Sequence, residues 1–189
     1  GMIVSKKIKS FLSSSTLTAH LHVNEYVWPD TYGQLSHSVK SCDTSFLTEL
    51  LKVKKEKVDY ADKWLNKNTR SLDSHIKYSS LAPYSDFYVW NVLSSYIPAS
   101  THLEIANSSS IRYSQLFNFE SGITYWCNRG TSGIDGSTST AVGAAVVCDR
   151  PVTHITGDLS FFYDSNALWN NYIPSTMRII VMNNGGGGI

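Results

Sequence analysis

Between residues 101 and 182, short apolar runs alternate with stretches of helical character, and no other feature of the 189-residue chain constrains its fold as tightly. The runs at 102–106, 123–127, 152–156 and 177–182 read as strands, and 111–117, 139–147 and 161–172 read as the helices between them. Strands separated by helices need crossover connections. The expected architecture is therefore α/β, a parallel sheet flanked by helices. The strand runs are short and apolar, as burial on both faces requires. With 42% hydrophobic and 16% charged residues, the chain can bury a core of this kind.

The preceding hundred residues are less regular. Residues 4–12 have helical character, 18–23 alternate as a strand does, and Trp28-Pro29-Asp30 marks a loop. One helix and one or two strands cannot bury a core alone, so residues 1–52 read as the tail of a preceding domain. Asp43-Thr44-Ser45 offers an N-cap to a long charged helical stretch in which Phe46, Leu47, Leu50, Leu51, Val58, Ala61, Trp64 and Leu65 recur at helical spacing. Residues 53–100 are read as a helical connector and the start of the next domain, with a loop at 80–85 and a helix at 86–96 that Pro98 ends.

A net charge of +1 with no basic stripe argues against a nucleic-acid or membrane-surface partner, and the lysines at 52–57 read as a solvated helix face. Cys42, Cys127 and Cys148 share no close spacing and are expected to be buried thiols rather than a disulfide frame or zinc site. No run approaches the roughly 18 apolar residues of a membrane span, and no secretory signal is recognisable; a soluble cytoplasmic protein is expected.

The chemistry concentrates at the strand ends. These present Asn107-Ser108-Ser109, the run 128–136 (Asn-Arg-Gly-Thr-Ser-Gly-Ile-Asp-Gly), Gly157-Asp158-Leu159-Ser160, and 183–188 (Asn-Asn-Gly-Gly-Gly-Gly). Ligands of open parallel sheets bind outside the carboxyl ends of the strands, where small residues let backbone N–H groups approach an anion. Asp158 and Asn184, 26 residues apart, with a glycine carbonyl, make an oxygen-only set suited to magnesium shared with a diphosphate. Taken singly, each feature has a plain reading: a turn at Gly157-Asp158, a linker at the glycine run, a solvated Arg129. No G-x-G-x-x-G follows a strand, and no G-x-x-x-x-G-K-[ST] phosphate loop exists. His154 inside a strand and His102 at the start of one read as structural.

Asn107-Ser108 with Arg112, the run 128–136, Gly157-Asp158-Leu159-Ser160 with Tyr163, Asp164 and Asn166, and the run 183–189 together resemble the thiamine diphosphate enzymes, whose cofactor motif opens with Gly-Asp and closes with Asn-Asn. The chain is similar in particular to the 2-succinyl-5-enolpyruvyl-6-hydroxy-3-cyclohexene-1-carboxylate synthases of menaquinone biosynthesis, with 128–136 the most specific run. The match is strong over 100–189 and weaker over 1–60.

That resemblance implies the thiamine diphosphate-binding fold. Residues 101–189 would be the diphosphate- and magnesium-binding domain, cut short at its C-terminus, and 1–52 the last part of a central domain. The implied activity is a transferase reaction: thiamine diphosphate-dependent decarboxylation of 2-oxoglutarate and addition of the succinyl-semialdehyde carbanion to isochorismate. Asp158, the Asn184 side chain and the Gly186 carbonyl are the implied ligands of Mg2+ or Mn2+. Asn107, Ser108, Gly157, Leu159, Gly186 and Gly187 are implied cofactor contacts, with Ser132 and Gly133 near the aminopyrimidine and Ile134 the apolar wedge beneath it. Ser108, Arg112, Arg129 and Ile189, with Lys6 and Lys7, are the implied substrate contacts. The activating glutamate would come from the pyrimidine-binding domain of a partner subunit in a homodimer or homotetramer. The segment is thus expected to hold no catalytic residue of its own and to be inactive alone. The alternatives are another thiamine diphosphate-dependent decarboxylase or carboligase, or a non-catalytic nucleotide-binding module.

Overall fold

The computed structural model describes Ile3 and residues 5–53, 58–185 and 187. The chain divides into two compact units, residues 1–62 and 63–189. In the first, helix α1 (Lys6–Ser14) opens on Ser5, whose hydroxyl accepts the Ile8 N–H at 3.3 Å. Strand β1 (Leu21–Asn24) pairs in parallel with β2 (His37–Lys40), in the register Leu21 to His37. The sequence reading did not include β2. Its four residues, His-Ser-Val-Lys, carry one apolar side chain and so show no alternation. Helix α2 (Asp43–Lys52) has Cys42 as its N-cap, one residue before the expected cap, with Asp43 in its first turn and Lys52 in its last, each matching the sign of the helix dipole there.

The long helical stretch expected through 46–65 is not continuous. α2 ends at Lys52, and α3 (Tyr60–Ser79) begins eight residues later and runs well past Leu65. In the second unit α4 (Asp86–Tyr96) lies where the sequence placed it, capped by Ser85, whose hydroxyl accepts the Tyr88 N–H at 3.3 Å. It buries Phe87 and Trp90.

The described residues of this unit form a parallel sheet of β3 (His102–Ile105), β4 (Thr124–Trp126), β5 (Val152–Gly157) and β6 (Arg178–Met182), in the order β4-β3-β5-β6. The α/β expectation is met. Helix α5 (Ser109–Ser114) joins β3 to β4, α6 (Ser137–Val147) joins β4 to β5, and α7 (Asp158–Tyr163) followed by a 3-10 turn (Ser165–Leu168) joins β5 to β6. Right-handed crossovers in opposite directions put α5 on one face and α6 with α7 on the other. Accordingly α5 packs on α4, and α6 on α7. Residues 152–156 of the interior strand β5 are buried throughout. Trp90, Ile97, Leu103, Ile105, Ile123, Ile155 and Met182 form the core, in which burying Leu103 or Ile155 contributes about 1.5–3 kcal/mol each.

Three helices start earlier than expected, α6 among them at Ser137 rather than 139. α5 starts at Ser109 rather than 111, directly after the β3 loop. The helix expected over 161–172 instead starts on Asp158, and its α-helical part ends at Tyr163. The break falls on Asp164, whose backbone is non-helical at φ −127° and ψ 22°. Its carboxylate turns away to accept the Ser139 N–H and hydroxyl, each at 2.6 Å, at the start of α6. Among the described residues no helix is long and apolar enough to cross a membrane.

Candidate functional site

Strand order determines where a ligand can sit. The chain leaves β3 towards β4 on one side and leaves β5 towards β6 on the other, so the loops after the adjacent strands β3 and β5 diverge. A crevice opens between such loops at the carboxyl edge of the sheet. A cleft open to solvent lies there. Its lining includes Asn107 and Ser108 after β3, Ile134 before α6, Gly157 at the end of β5, Asp158 and Leu159 at the start of α7, and Met182, Asn184 and Gly187 at and beyond the end of β6. Four segments far apart in sequence therefore converge, as the loop reading anticipated.

Ser108 is held at φ 68° and ψ −128°, a left-handed backbone that costs a serine about 1–3 kcal/mol. Its Oγ is buried without a hydrogen-bond partner among the described residues. A strained residue presenting an unsatisfied hydroxyl at a cleft is suited to donating to a bound anion. Beside it, an added Cβ at Gly157 would meet nothing within 4 Å. The Asp158 Oδ1 accepts the Leu159 N–H at 2.8 Å, which turns the carboxylate along the first turn of α7. Gly187, at φ 56°, approaches the Leu159 side chain so closely that a Cβ there would overlap it. Glycine is needed at that position for both reasons.

The loop 128–136 is pinned by its carbonyl groups. The Asn107 Nδ2 donates to the Asn128 and Gly133 carbonyls, both at 2.6 Å, and the buried Ser160 hydroxyl donates to the Ile134 carbonyl at 2.6 Å. The Asn107 amide, 3% exposed, thus acts as a clasp for the loop, while its Oδ1 accepts Arg129 Nη1 at 2.9 Å. Ser132 is in the left-handed region at φ 61°, its hydroxyl on the Arg129 carbonyl at 3.3 Å. A Cβ at Gly133 would come within 2.5 Å of Asp135 Oδ1. Ile134 is the member of this loop that reaches the cleft.

Other residues singled out from the sequence lie apart from the cleft lining. Arg112 is exposed on α5, and Arg129 is exposed in its loop. Lys6 and Lys7 are exposed on α1 in the first unit. Gly186 and Ile189 lie outside the described residues. Asp86 and Trp90 of α4 do line the cleft, and neither was singled out as a site residue. Ser85-Asp86 reads locally as a helix start; its meeting with Asn184, 98 residues on, left no sequence signal. Among the described residues no group of three or more His, Cys, Asp or Glu could hold a metal, so any cation here would depend on amide, carbonyl or ligand oxygens.

The two histidines of the sheet, His154 and His102, make structural contacts. His154, fully buried in β5, bonds through Nδ1 to the Glu104 carbonyl at 3.1 Å and through Nε2 to the Thr138 hydroxyl at 3.3 Å. A carbonyl only accepts, so Nδ1 carries the proton and Nε2 accepts from Thr138. Burial lowers the pKa of His154 and favours this neutral ring. His102 Nε2 pairs with Glu104 Oε1 at 2.8 Å and stacks on Trp126 at 5.9 Å. The cysteines are free, but Cys42 is exposed and Cys127 and Cys148 are half-buried. The expectation of buried thiols fails plainly for Cys42, because the helix cap it occupies faces solvent.

Known proteins of one name align along the whole chain. Three 2-succinyl-5-enolpyruvyl-6-hydroxy-3-cyclohexene-1-carboxylate synthases align with 100% of the chain: that of Flavobacterium psychrophilum at 46% identity over 191 residues, of Flavobacterium johnsoniae at 47% over 194, and of Christiangramia forsetii at 48% over 191. Over its whole length the chain is similar to these synthases. It spans about a third of the length of these relatives, covering 34%, 34% and 33% respectively. No protein-family model matches it. The synthase family's similarity runs through both units, the first as well as the sheet with its cleft.

Proposed function

We propose that the cleft is the diphosphate and metal half-site of a thiamine diphosphate enzyme, and that the full-length protein is a 2-succinyl-5-enolpyruvyl-6-hydroxy-3-cyclohexene-1-carboxylate synthase joining 2-oxoglutarate and isochorismate in menaquinone biosynthesis. The observation that carries this reading is the convergence of Ser108, Ile134, Gly157-Asp158-Leu159, Asn184 and Gly187 on one cleft at the sheet's switch point. Identity of 46–48% to synthases of that name supports it. The residues fit the group. The unpartnered Ser108 Oγ and the glycines at 157 and 187 suit a diphosphate, and the Asp158 carboxylate and Asn184 amide oxygen suit Mg2+ or Mn2+. Gly186, outside the described residues, completes the proposed ligand set.

When bound, thiamine diphosphate supplies the electron sink for decarboxylating a 2-oxo acid. This chain's residues bind and orient. Ser108 donates to the anion, and Asp158 and Asn184 hold the cation that neutralises it. Ile134, fixed by Ser160, presents an apolar surface to the cofactor. Arg129, tethered to Asn107, and Arg112 are assigned to the substrate carboxylates, for which a guanidinium is the matching partner. Lys6, Lys7 and Ile189 are proposed to complete the substrate side. The activating glutamate is assigned to the pyrimidine-binding domain of a partner subunit, so the whole site needs a homo-oligomer. Domain limits of 1–52, 53–100 and 101–189 accompany this reading.

Calorimetry on the full-length protein tests it. Thiamine diphosphate is expected to bind with magnesium and to lose that dependence in Asp158→Ala. No magnesium-dependent binding, or binding unchanged in the variant, would overturn the proposal. Turnover of isochorismate with 2-oxoglutarate checks the substrates; turnover with pyruvate in place of 2-oxoglutarate would favour another carboligase.

A further inference from the structure

We infer that Asp86 is a positioning residue that orients the amide of Asn184 as a cation ligand; the inference rests on the metal reading just given. Asn184 Nδ2 donates to Asp86 Oδ2 at 3.3 Å, joining the end of β6 to the first residue of α4. Both residues line the cleft that contains Asp158. Chemistry distinguishes the two ends of the Asn184 amide here. A carboxylate accepts, and of the two amide ends only the nitrogen donates. Pairing with Asp86 therefore holds the nitrogen towards α4 and leaves Oδ1, the end a hard cation binds, for the cleft.

The anchor is rigid where it needs to be. Ser85 caps α4, and Trp90, just over one turn beyond Asp86, is buried at 0% accessible surface. Asn183 is committed elsewhere, its Oδ1 accepting the Gly185 N–H at 3.0 Å, so Asn184 is the member of the pair that faces Asp86. Asp86 also suits the helix dipole at the start of α4, but that role needs no partner 98 residues away. Partners that orient metal ligands typically change metal affinity about 10- to 100-fold when removed.

The test is Mn2+ binding to the full-length protein at saturating thiamine diphosphate, read from the electron paramagnetic resonance of free Mn2+, alongside thermal melts without ligand. Asp86→Ala is expected to weaken Mn2+ binding by about 10- to 100-fold with little change in the melt, and Asp86→Glu to restore most of it. In an Asn184→Ala background, Asp86→Ala is expected to add almost nothing, because the two act through one contact. If the wild type binds no Mn2+, or Asp158→Ala binds it normally, the cofactor reading itself falls and takes the inference with it. If Asp158→Ala loses Mn2+ but Asp86→Ala retains it, or weakens it equally with and without Asn184, the inference alone is overturned.

Discussion

Asp164 ties the first turn of α6 to the end of α7, and its removal gives a worked prediction. The side chain is 5% exposed and accepts the Ser139 N–H and Ser139 hydroxyl, both at 2.6 Å. Alanine leaves two donors without this partner, and a buried donor left unsatisfied costs about 1–3 kcal/mol. Loss of a carboxylate near a helix N-terminus removes a further contribution of about 0.3–1 kcal/mol. Ser139 itself is exposed, so water can recover part of the loss, and each donor costs about 1 kcal/mol, the low end of that range. Asp164→Ala is therefore expected to destabilise the second unit by about 2–3 kcal/mol. Asp164→Asn keeps one acceptor and should cost about half as much. Urea unfolding followed by tryptophan fluorescence, with Trp90 in the core of that unit as a reporter, reads the difference. With a slope of about 1–3 kcal/mol/M, the alanine midpoint falls by roughly 1 M. An alanine midpoint equal to wild type, or an asparagine variant as damaged as the alanine one, would refute the idea that α6 is held by this carboxylate.

Two further outcomes follow from other contacts. Burial lowers the His154 pKa below its ordinary 6.5, so the unfolded chain binds a proton that the folded chain resists. The associated stability is complete above pH 6.5 and is lost as pH falls through the lower folded value, so unfolding midpoints measured from pH 7.5 to 5 should decline, and less steeply in His154→Gln; an equal decline in both proteins would disprove the assignment. At Gly187, alanine meets both a φ of 56° and the Leu159 side chain, whose Cγ would lie 2.9 Å away. A left-handed residue with a Cβ costs about 1–2 kcal/mol, so thiamine diphosphate should bind roughly 5- to 30-fold more weakly to Gly187→Ala by calorimetry, with partial recovery when Leu159→Ala is added. Unchanged affinity in the single variant would show that the close approach is not needed for binding.

The sequence by itself was enough for the parts of this protein that depend on neighbours along the chain. The four apolar runs, the helix at Asp86–Tyr96 and the parallel α/β architecture follow from local periodicity, and the polar strand ends marked Ser108, Ile134, Gly157, Asp158, Leu159, Asn184 and Gly187 as one group. Periodicity failed where a side chain answers to a distant partner. The helix expected through 172 breaks at Asp164 because its carboxylate is used by Ser139, and β2 was invisible because its pairing with β1, not its composition, makes it a strand. Only the tertiary structure turned Asn107 into a loop clasp, set Arg112 and Arg129 apart from the cleft lining, and brought Asp86 to Asn184 across 98 residues. Those meetings depend on strand order and crossover direction. A parallel sheet gathers its strand ends whatever their separation in sequence, and the pattern of apolar residues along one strand carries no record of which other strand will lie beside it.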